Sequence, residues 1–282
     1  MHCRVAGSLC LVSLTFAGCI IPKDAKANVV TSAQLGNKWV VRGQTFIDEP
    51  TLLPRLALSA PTVNGDTIRL VGEGAMPLGN DTGKGWYPDG HAGRFAQVDL
   101  VGSYAKTFGD ITLEGGVHNY VLPNGKEFVN TERGTTSELF LLASANVLEA
   151  TPYVSVHYDI DEVQDWYFRG GITESIPLGE TFFISLDGSL GYITNGQAQW
   201  LFGADKSGLA DLRGMIALNW RYDERTTFNI GLNGSTMLDS GIARWMQQQN
   251  QYTIGTSASG TTFGTGIDPD PVWVTVGGAF AF

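Results

Sequence analysis

The chain is poor in what holds small exported domains together and in what usually carries chemistry. Its 282 residues contain three cysteines, Cys3, Cys10 and Cys19, all within the first nineteen positions. Beyond them no disulfide framework or thiol chemistry is available. Charge is scarce at 16%, and basic charge scarcer, with 18 Lys and Arg against 28 Asp and Glu and a net charge of −10. That balance excludes nucleic acid as a partner. No run of about 20 apolar residues follows the N-terminal segment, which excludes a bundle of membrane-spanning helices. Glycine, by contrast, is abundant at 36 residues. Together with many Thr, Val, Phe and Tyr it favours strands and turns over helices.

The N-terminus has the layout of an export leader. "MHCR" is short and basic, Val5 to Ile21 is apolar, and "PKDAKA" offers Ala25 and Ala27 in the small-x-small spacing that signal peptidase cuts. The expectation is a signal peptide over 1–27 and one domain over 28–282. A competing reading is lipidation of Cys19 in "FAGC". Removing 1–27 takes away Arg4, Lys23, Lys26 and Asp24, leaving 15 basic and 27 acidic residues and a net charge of −12.

The remainder reads as strand after strand at period two. In "TFFISLDGSLGYI" one face carries Phe182, Ile184, Leu186, Gly188, Leu190 and Tyr192, the other Phe183, Ser185, Asp187, Ser189 and Gly191. Twelve such segments are expected: 34–45, 53–61, 67–76, 94–106, 111–121, 136–146, 151–159, 166–176, 181–193, 209–221, 227–237 and 272–282. Most exceed the 5 to 6 residues or so of an ordinary strand and match the roughly 9 to 11 that a tilted strand needs to cross a bilayer. Short connections such as "TFGD" and "PLGE" alternate with a set that is mostly long, 238–271 being the longest. This alternation is what an outer-membrane barrel with brief periplasmic turns and long extracellular loops requires. Aromatic residues gather towards the two ends of the apolar face, Tyr104, Phe182, Trp220, Phe228 and Phe282 at one and Phe95, Tyr158, Trp166 and Tyr192 at the other. They predict two interfacial girdles. The expected fold is therefore all-β, a single antiparallel transmembrane barrel of about twelve strands in the bacterial outer membrane. The final alternation "VWVTVGGAFAF" puts Val272, Val274, Val276, Phe280 and Phe282 on the lipid side of a last strand that closes onto the first.

The opposite faces carry a balanced set of charges. Lys38, Arg42, Arg55, Arg69, Arg169 and Arg213 supply positives; Glu73, Asp99, Glu114, Glu138, Asp187 and Asp211 supply negatives, and His118 turns inward beside Glu114. Such a lining can set ion or solute preference in a hydrated constriction. Equally, it can be a lumen filled by ion pairs that satisfy one another, since a twelve-stranded barrel lies between side-chain-filled and channel-forming sizes. Ser155 and His157 stand two apart on one strand, a spacing open to a nucleophile and base, but Val154, Val156 and Tyr158 claim the lipid face and turn the pair inward. "DIDEVQD" gathers Asp159, Asp161, Glu162 and Asp165 without the glycine turn and distal Glu of a calcium loop. No cofactor or metal is expected.

"NKWVVRGQTFIDEPTLLPRLALSA" (37–60) is similar to the opening hairpin of the TorF-type porin family, in which an aromatic-Val-x-Arg-Gly stretch precedes a short acidic turn and a second strand. "FAQVDLVGSYAKTFGDITLEGGVHNYVLPNG" (95–125) and "TSELFLLASANVLEATPYVSVHYDID" (136–161) resemble that family's middle hairpins, while 238–271 has no counterpart. The resemblance implies an exported porin. The functional expectation is passive diffusion of ions or small solutes through a narrow polar lumen. The alternative is a non-conducting structural or adhesive barrel acting through its long loops, with 238–271 either plugging the lumen or projecting outward. Expected partners are the outer-membrane lipid, the barrel-assembly machinery through the strand ending in Phe282, and the solute.

Overall fold

A computed structural model describes residues 26–80, 87, 90–123, 134–147, 149–252 and 267–282. The leader expected over 1–27, and Cys19 within it, thus falls almost wholly outside the described residues. Fourteen strands and two helices follow: β1 (Asn28–Gly36), β2 (Trp39–Val41), β3 (Gln44–Ile47), β4 (Thr51–Pro61), β5 (Thr67–Pro77), β6 (Gln97–Phe108), β7 (Ile111–Val121), β8 (Thr135–Ala145), β9 (Ala150–Asp159), β10 (Trp166–Pro177), β11 (Phe182–Ile193), α1 (Asn195–Phe202), β12 (Gly208–Arg221), β13 (Thr226–Met237), α2 (Ser240–Tyr252) and β14 (Val272–Ala281).

Twelve of the strands, β1 and β4 to β14, close into an antiparallel barrel in which each spanning strand pairs with its neighbours in sequence. Closure is made by β1 against β14, with Val30 opposite Ala281 and Leu35 opposite Val276. Backbone groups of all twelve strands are thereby paired around the ring, which is the condition for a sheet in lipid. Eleven spans lie where the alternation places them. The first does not: 34–45 is not one strand. The first barrel strand is instead 28–36, and 39–47 forms a separate two-stranded hairpin, β2–β3.

Alternation sorts the side chains as the pleat demands. On β14, Val272, Val274 and Val276 are exposed while Trp273 and Thr275 are buried. On β9, Val154 is 61% exposed and its neighbour Ser155 only 9%. Leu100, Leu139, Leu141, Ile172, Ile216, Ile230 and Leu232 continue the outward apolar band. So continuous an apolar exterior is stable only against lipid. At the short-turn end the band is edged by Phe182, Trp220 and Phe228, with Trp220 and Phe228 ring centroids 5.7 Å apart. At the long-loop end Tyr158 and Trp166 stand 4.5 Å apart. The chain is an outer-membrane β-barrel.

The buried apolar core lies at one end of the barrel. Phe46 and Ile47 of the hairpin pack with Tyr87, Tyr167, Ile193, Ala198, Leu201 and Phe202 of α1, Ala210, Met237, and Ile242 and Met246 of α2. All these elements belong to the long-loop end or to the strand ends beside it. Within the long connections two helices form, α1 after β11 and α2 after β13. The stretch 253–266 of the longest loop lies outside the described residues.

Candidate functional site: a lumen closed from one side by a latched hairpin

The hairpin turns on two residues, Arg42 and Gly43, between Val41 and its partner Gln44. Both have positive φ, 49° and 80°. That is the requirement of the tight turn that matches strand twist, and it normally selects Asn-Gly or Gly-Gly. Glycine is needed at 43 for a second reason, since a Cβ there would stand 2.7 Å from Cβ of Asp211. Arg42 bears the left-handed backbone because its side chain is fixed. Its Nη1 donates to Glu138 Oε1 at 2.8 Å and Nη2 to Glu138 Oε2 at 2.6 Å. Nη1 also reaches Gln197 Oε1 of α1 at 3.3 Å and Nη2 the Tyr120 hydroxyl at 3.4 Å. The guanidinium lies 4.2 Å from the Tyr167 ring centroid. Glu138 is 2% exposed, so the pair is a desolvated, bidentate ion pair of the strong kind. Four elements, β7, β8, β10 and α1, grip one side chain of the hairpin.

The remaining candidate charges fall into two groups. Lys38 and Arg42 are not on the barrel wall: Lys38 precedes the hairpin and pairs with Asp48 just after it, and Arg42 caps its tip. This corrects their placement on a spanning strand. The others do project from wall strands. Arg55 Nε lies 3.3 Å from Glu73 Oε2, and Arg69 pairs with Glu114, which also accepts the Ser103 hydroxyl at 2.6 Å. Arg169 Nη2 bonds Asp211 Oδ2 at 2.7 Å and the Tyr167 hydroxyl at 2.6 Å, while that hydroxyl donates to Asp211 Oδ1 at 3.0 Å. Asp99 accepts Gln97 Nε2 at 2.7 Å and faces His118 at 3.5 Å. The Tyr153 hydroxyl stands 3.5 Å from Asp187. The Arg213 guanidinium lies 5.7 Å from the Trp273 ring centroid, and its buried Nε has no hydrogen-bond partner among the described residues.

Sequence reasoning missed Tyr120, Tyr167 and Gln197, the neutral members of the Arg42 grip. Tyr120 and Tyr167 were legible as inward steps of β7 and β10, but nothing local marks them as partners of a residue 78 or more positions away. The acidic cluster 159–165 serves backbone groups. Asp159 Oδ1 accepts the N–H of Asp161 and Val163 at 3.0 and 2.9 Å, and Asp165 Oδ2 accepts the N–H of Gly196 at 2.6 Å. Thr194, at the N-cap of α1, makes no side-chain cap bond, so Asp165 caps that helix from a neighbouring loop. Burial would raise the Asp165 carboxyl, but the Thr194 hydroxyl and the N–H groups of Gly196, Trp166 and Gln197 hold it below the usual carboxylate range. Asp239 does the same for α2, accepting Gly241 and Ile242 N–H at 2.8 and 3.1 Å.

Ser155 Oγ lies 3.2 Å from His157 Nε2, and His157 Nδ1 lies 3.4 Å from Glu138 Oε2. The order of groups is that of nucleophile, base and orienting acid. Both oxygens of Glu138 are already held by Arg42, so its charge is neutralised by a permanent cation. Ser155 faces away from lipid.

Two polar cavities adjoin, one of them beside the hairpin. One of about 580 Å³ is lined by Thr151, Tyr153, Arg169, Asp187 and Arg213 among others. The second, about 320 Å³, runs along Lys38, Trp39 and Val40 of the hairpin region and Asn219, Asn229, Asn233 and Trp273 of the wall. Ser185, Arg213 and Met215 line both. Arg213 stands at their junction.

The class this architecture defines is the closed, twelve-stranded barrel of the outer membrane. Among solved structures, an outer membrane channel from Pseudomonas putida F1 superposes with a TM-score of 0.52 at 10% identity, covering 93% of this chain and 97% of that one. A NanC porin gives 0.48 at 13% identity, covering 90% and 99%, and a KdgM porin 0.46 at 10%, covering 90% and 99%. No family model matches the chain, and no curated protein matches it.

Proposed function

We propose that the protein is a narrow outer-membrane porin, passing ions or small solutes passively, with the β2–β3 hairpin as its constriction. The observation that carries this reading is the pair of adjoining polar cavities, one along the wall and one between hairpin and wall, meeting at Arg213. A lumen packed solid by ion pairs has no room for them. The wall charges, Arg55, Arg69, Glu73, Asp99, Glu114, His118, Glu138, Arg169, Asp187, Asp211 and Arg213, together with Lys38 and Arg42 of the hairpin region, are the pore lining in this reading. The resemblance to TorF-type porins, an N-terminal leader over 1–27, and assembly through the C-terminal strand ending in Phe282 belong to the same proposal. The reading involves no chemical reaction.

A second reading draws on the apolar cluster at the long-loop end. Fifteen buried hydrophobic residues join the hairpin, α1 and α2, and a seal of that kind suits a non-conducting barrel that works through its outer surface. Planar-bilayer recording from the folded, heat-modifiable protein separates the two. Stable unitary steps of small conductance are expected. A correctly folded barrel that stays silent at every voltage tried sinks the pore and leaves the loops as the working part.

A further inference from the structure

We propose that Glu73, Asp99 and His118 form a binding site for a divalent first-row transition cation on the lumen wall. One carboxylate oxygen from each acid and one imidazole nitrogen all lie within 4.8 Å of one another. The register creates the cluster. Glu73 on β5 stands directly opposite Asp99 on β6. Asp99 in turn faces Tyr120 on β7, which puts His118, two residues earlier on the same face, at its diagonal.

Two carboxylates directly opposite each other on paired strands repel. Arg55 answers only the Glu73 side, from 3.3 Å. Asp99 is 8% exposed, and its one side-chain hydrogen bond among the described residues is from the neutral Gln97 amide, to Oδ1. Its Oδ2 points at His118 Nε2. That nitrogen is buried and has no hydrogen-bond partner among the described residues, although Asp99 Oδ2 is 3.5 Å away. The separation is too long for a hydrogen bond of normal geometry. It is close to the spacing of two ligands on one ion, since metal–ligand bonds of roughly 2.0–2.2 Å in a tetrahedron hold neighbouring ligands about 3.4 Å apart. The orphaned nitrogen, not the acids alone, points to a ligand. The ring is held in place by stacking on Tyr120, centroids 3.9 Å apart and planes 20° from parallel.

The donor set selects the class of ion. One imidazole with two carboxylates suits zinc, manganese and their neighbours. Calcium needs six or more oxygens, which this wall does not supply. Bound there, the ion presents His118 as a neutral ligand with its proton on Nδ1, and it places positive charge on a stretch of wall that otherwise carries paired acids. Binding does not depend on whether the barrel conducts.

The test is calorimetric titration of the chelator-washed, full-length barrel, folded in detergent, with Zn²⁺. One ion per chain is expected in the micromolar range, with His118→Ala and Asp99→Asn each weakening it by about tenfold or more, and with millimolar Ca²⁺ failing to compete. Folding of each variant is checked by heat-modifiable mobility. Should either misfold, Glu73→Gln supplies the same comparison from the half-exposed side of the cluster. Absence of stoichiometric binding by the wild type overturns the site. So does unchanged affinity in the folded variants, which would move the ions to other acids such as those of 159–165.

Discussion

Arg42 and Glu138 lie 96 residues apart in sequence and meet through two parallel hydrogen bonds of 2.8 and 2.6 Å, one from each terminal nitrogen to each carboxylate oxygen. One residue is the tip of a hairpin, the other the inner wall of β8, so the pair anchors the hairpin tip to the barrel wall. Removing one partner of a buried pair strands the other charge and costs about 3–5 kcal/mol. Relief is available here, because the hairpin can swing away and let water reach Glu138. Arg42→Ala is therefore expected to lower the melting temperature and raise the unitary conductance together. Arg42→Lys should fall between, since an ammonium keeps the charge but loses the fork and the stacking on Tyr167. Unchanged conductance in a folded Arg42→Ala barrel would show that the hairpin is not the constriction.

The spanning strands were legible because burial alternates on them residue by residue, and the first was misread for a physical reason. On β1 the lipid-facing steps after Val29 are Thr31 and Ala33, with Leu35 the next large apolar residue. The hairpin that follows carries Trp39, Val40, Val41, Phe46 and Ile47 and so gives the stronger strand signal, though its burial is against α1 and α2 and not against lipid. Arg-Gly is also an uncommon spelling of its turn. Helix α2 was in principle readable from Asp239 as its cap and from Ile242 and Met246 four apart. Which charges face inward follows from the pleat alone. Which of them meet depends on register and on a loop folding inward, and neither leaves a local mark, as Glu138 and Gln197 show.

Arg213 lines both lumen cavities and, unlike Arg42 and Arg169, is held by no ion pair among the described residues. A cation with few fixed partners at a narrow junction favours passing anions. Arg213→Gln should shift the reversal potential in a salt gradient towards cation preference while leaving the melting temperature nearly unchanged. Equal selectivity in wild type and variant would remove Arg213 from the permeation path.

The long-loop end carries its own acid sensitivity. Asp165 caps α1 and Asp239 caps α2, and both carboxyls are held low. For Asp239, burial pushes upward, but the Lys206 ammonium at 2.8 Å and the N–H groups of Ile242 and Gly241 outweigh it. A carboxyl with a depressed folded-state pKa stabilises above its unfolded value and loses that contribution as pH falls through the folded one. Both helices should accordingly loosen below the ordinary carboxylate range, near pH 4 and under. Channel noise and protease cleavage within 194–252 are expected to rise there, before the barrel itself melts. Asp165→Asn with Asp239→Asn should show the loosened state already at neutral pH; a double variant with wild-type protection at both pH values would refute the caps as the sensor.

The proposed assembly role of Phe282 can be tested apart from its part in stability. Its N–H donates to the Val29 carbonyl at 2.9 Å across the closing seam, and its ring, 66% exposed, meets Phe280 edge-on at 4.7 Å. Deleting it removes one backbone hydrogen bond from a ladder that otherwise stays intact, worth on the order of 1 kcal/mol, and one ring from an aromatic girdle. A barrel refolded in detergent without Phe282 should melt within a few degrees of the wild type. In cells the same deletion should cut the amount reaching the outer membrane severalfold, because the terminal aromatic of the last strand is then missing when the assembly machinery meets the unfolded chain. The comparison works because the two readouts share the folded state and differ only in the route to it. Equal yields in cells would make Phe282 an ordinary girdle residue, and a matching drop in both would make it part of the seam.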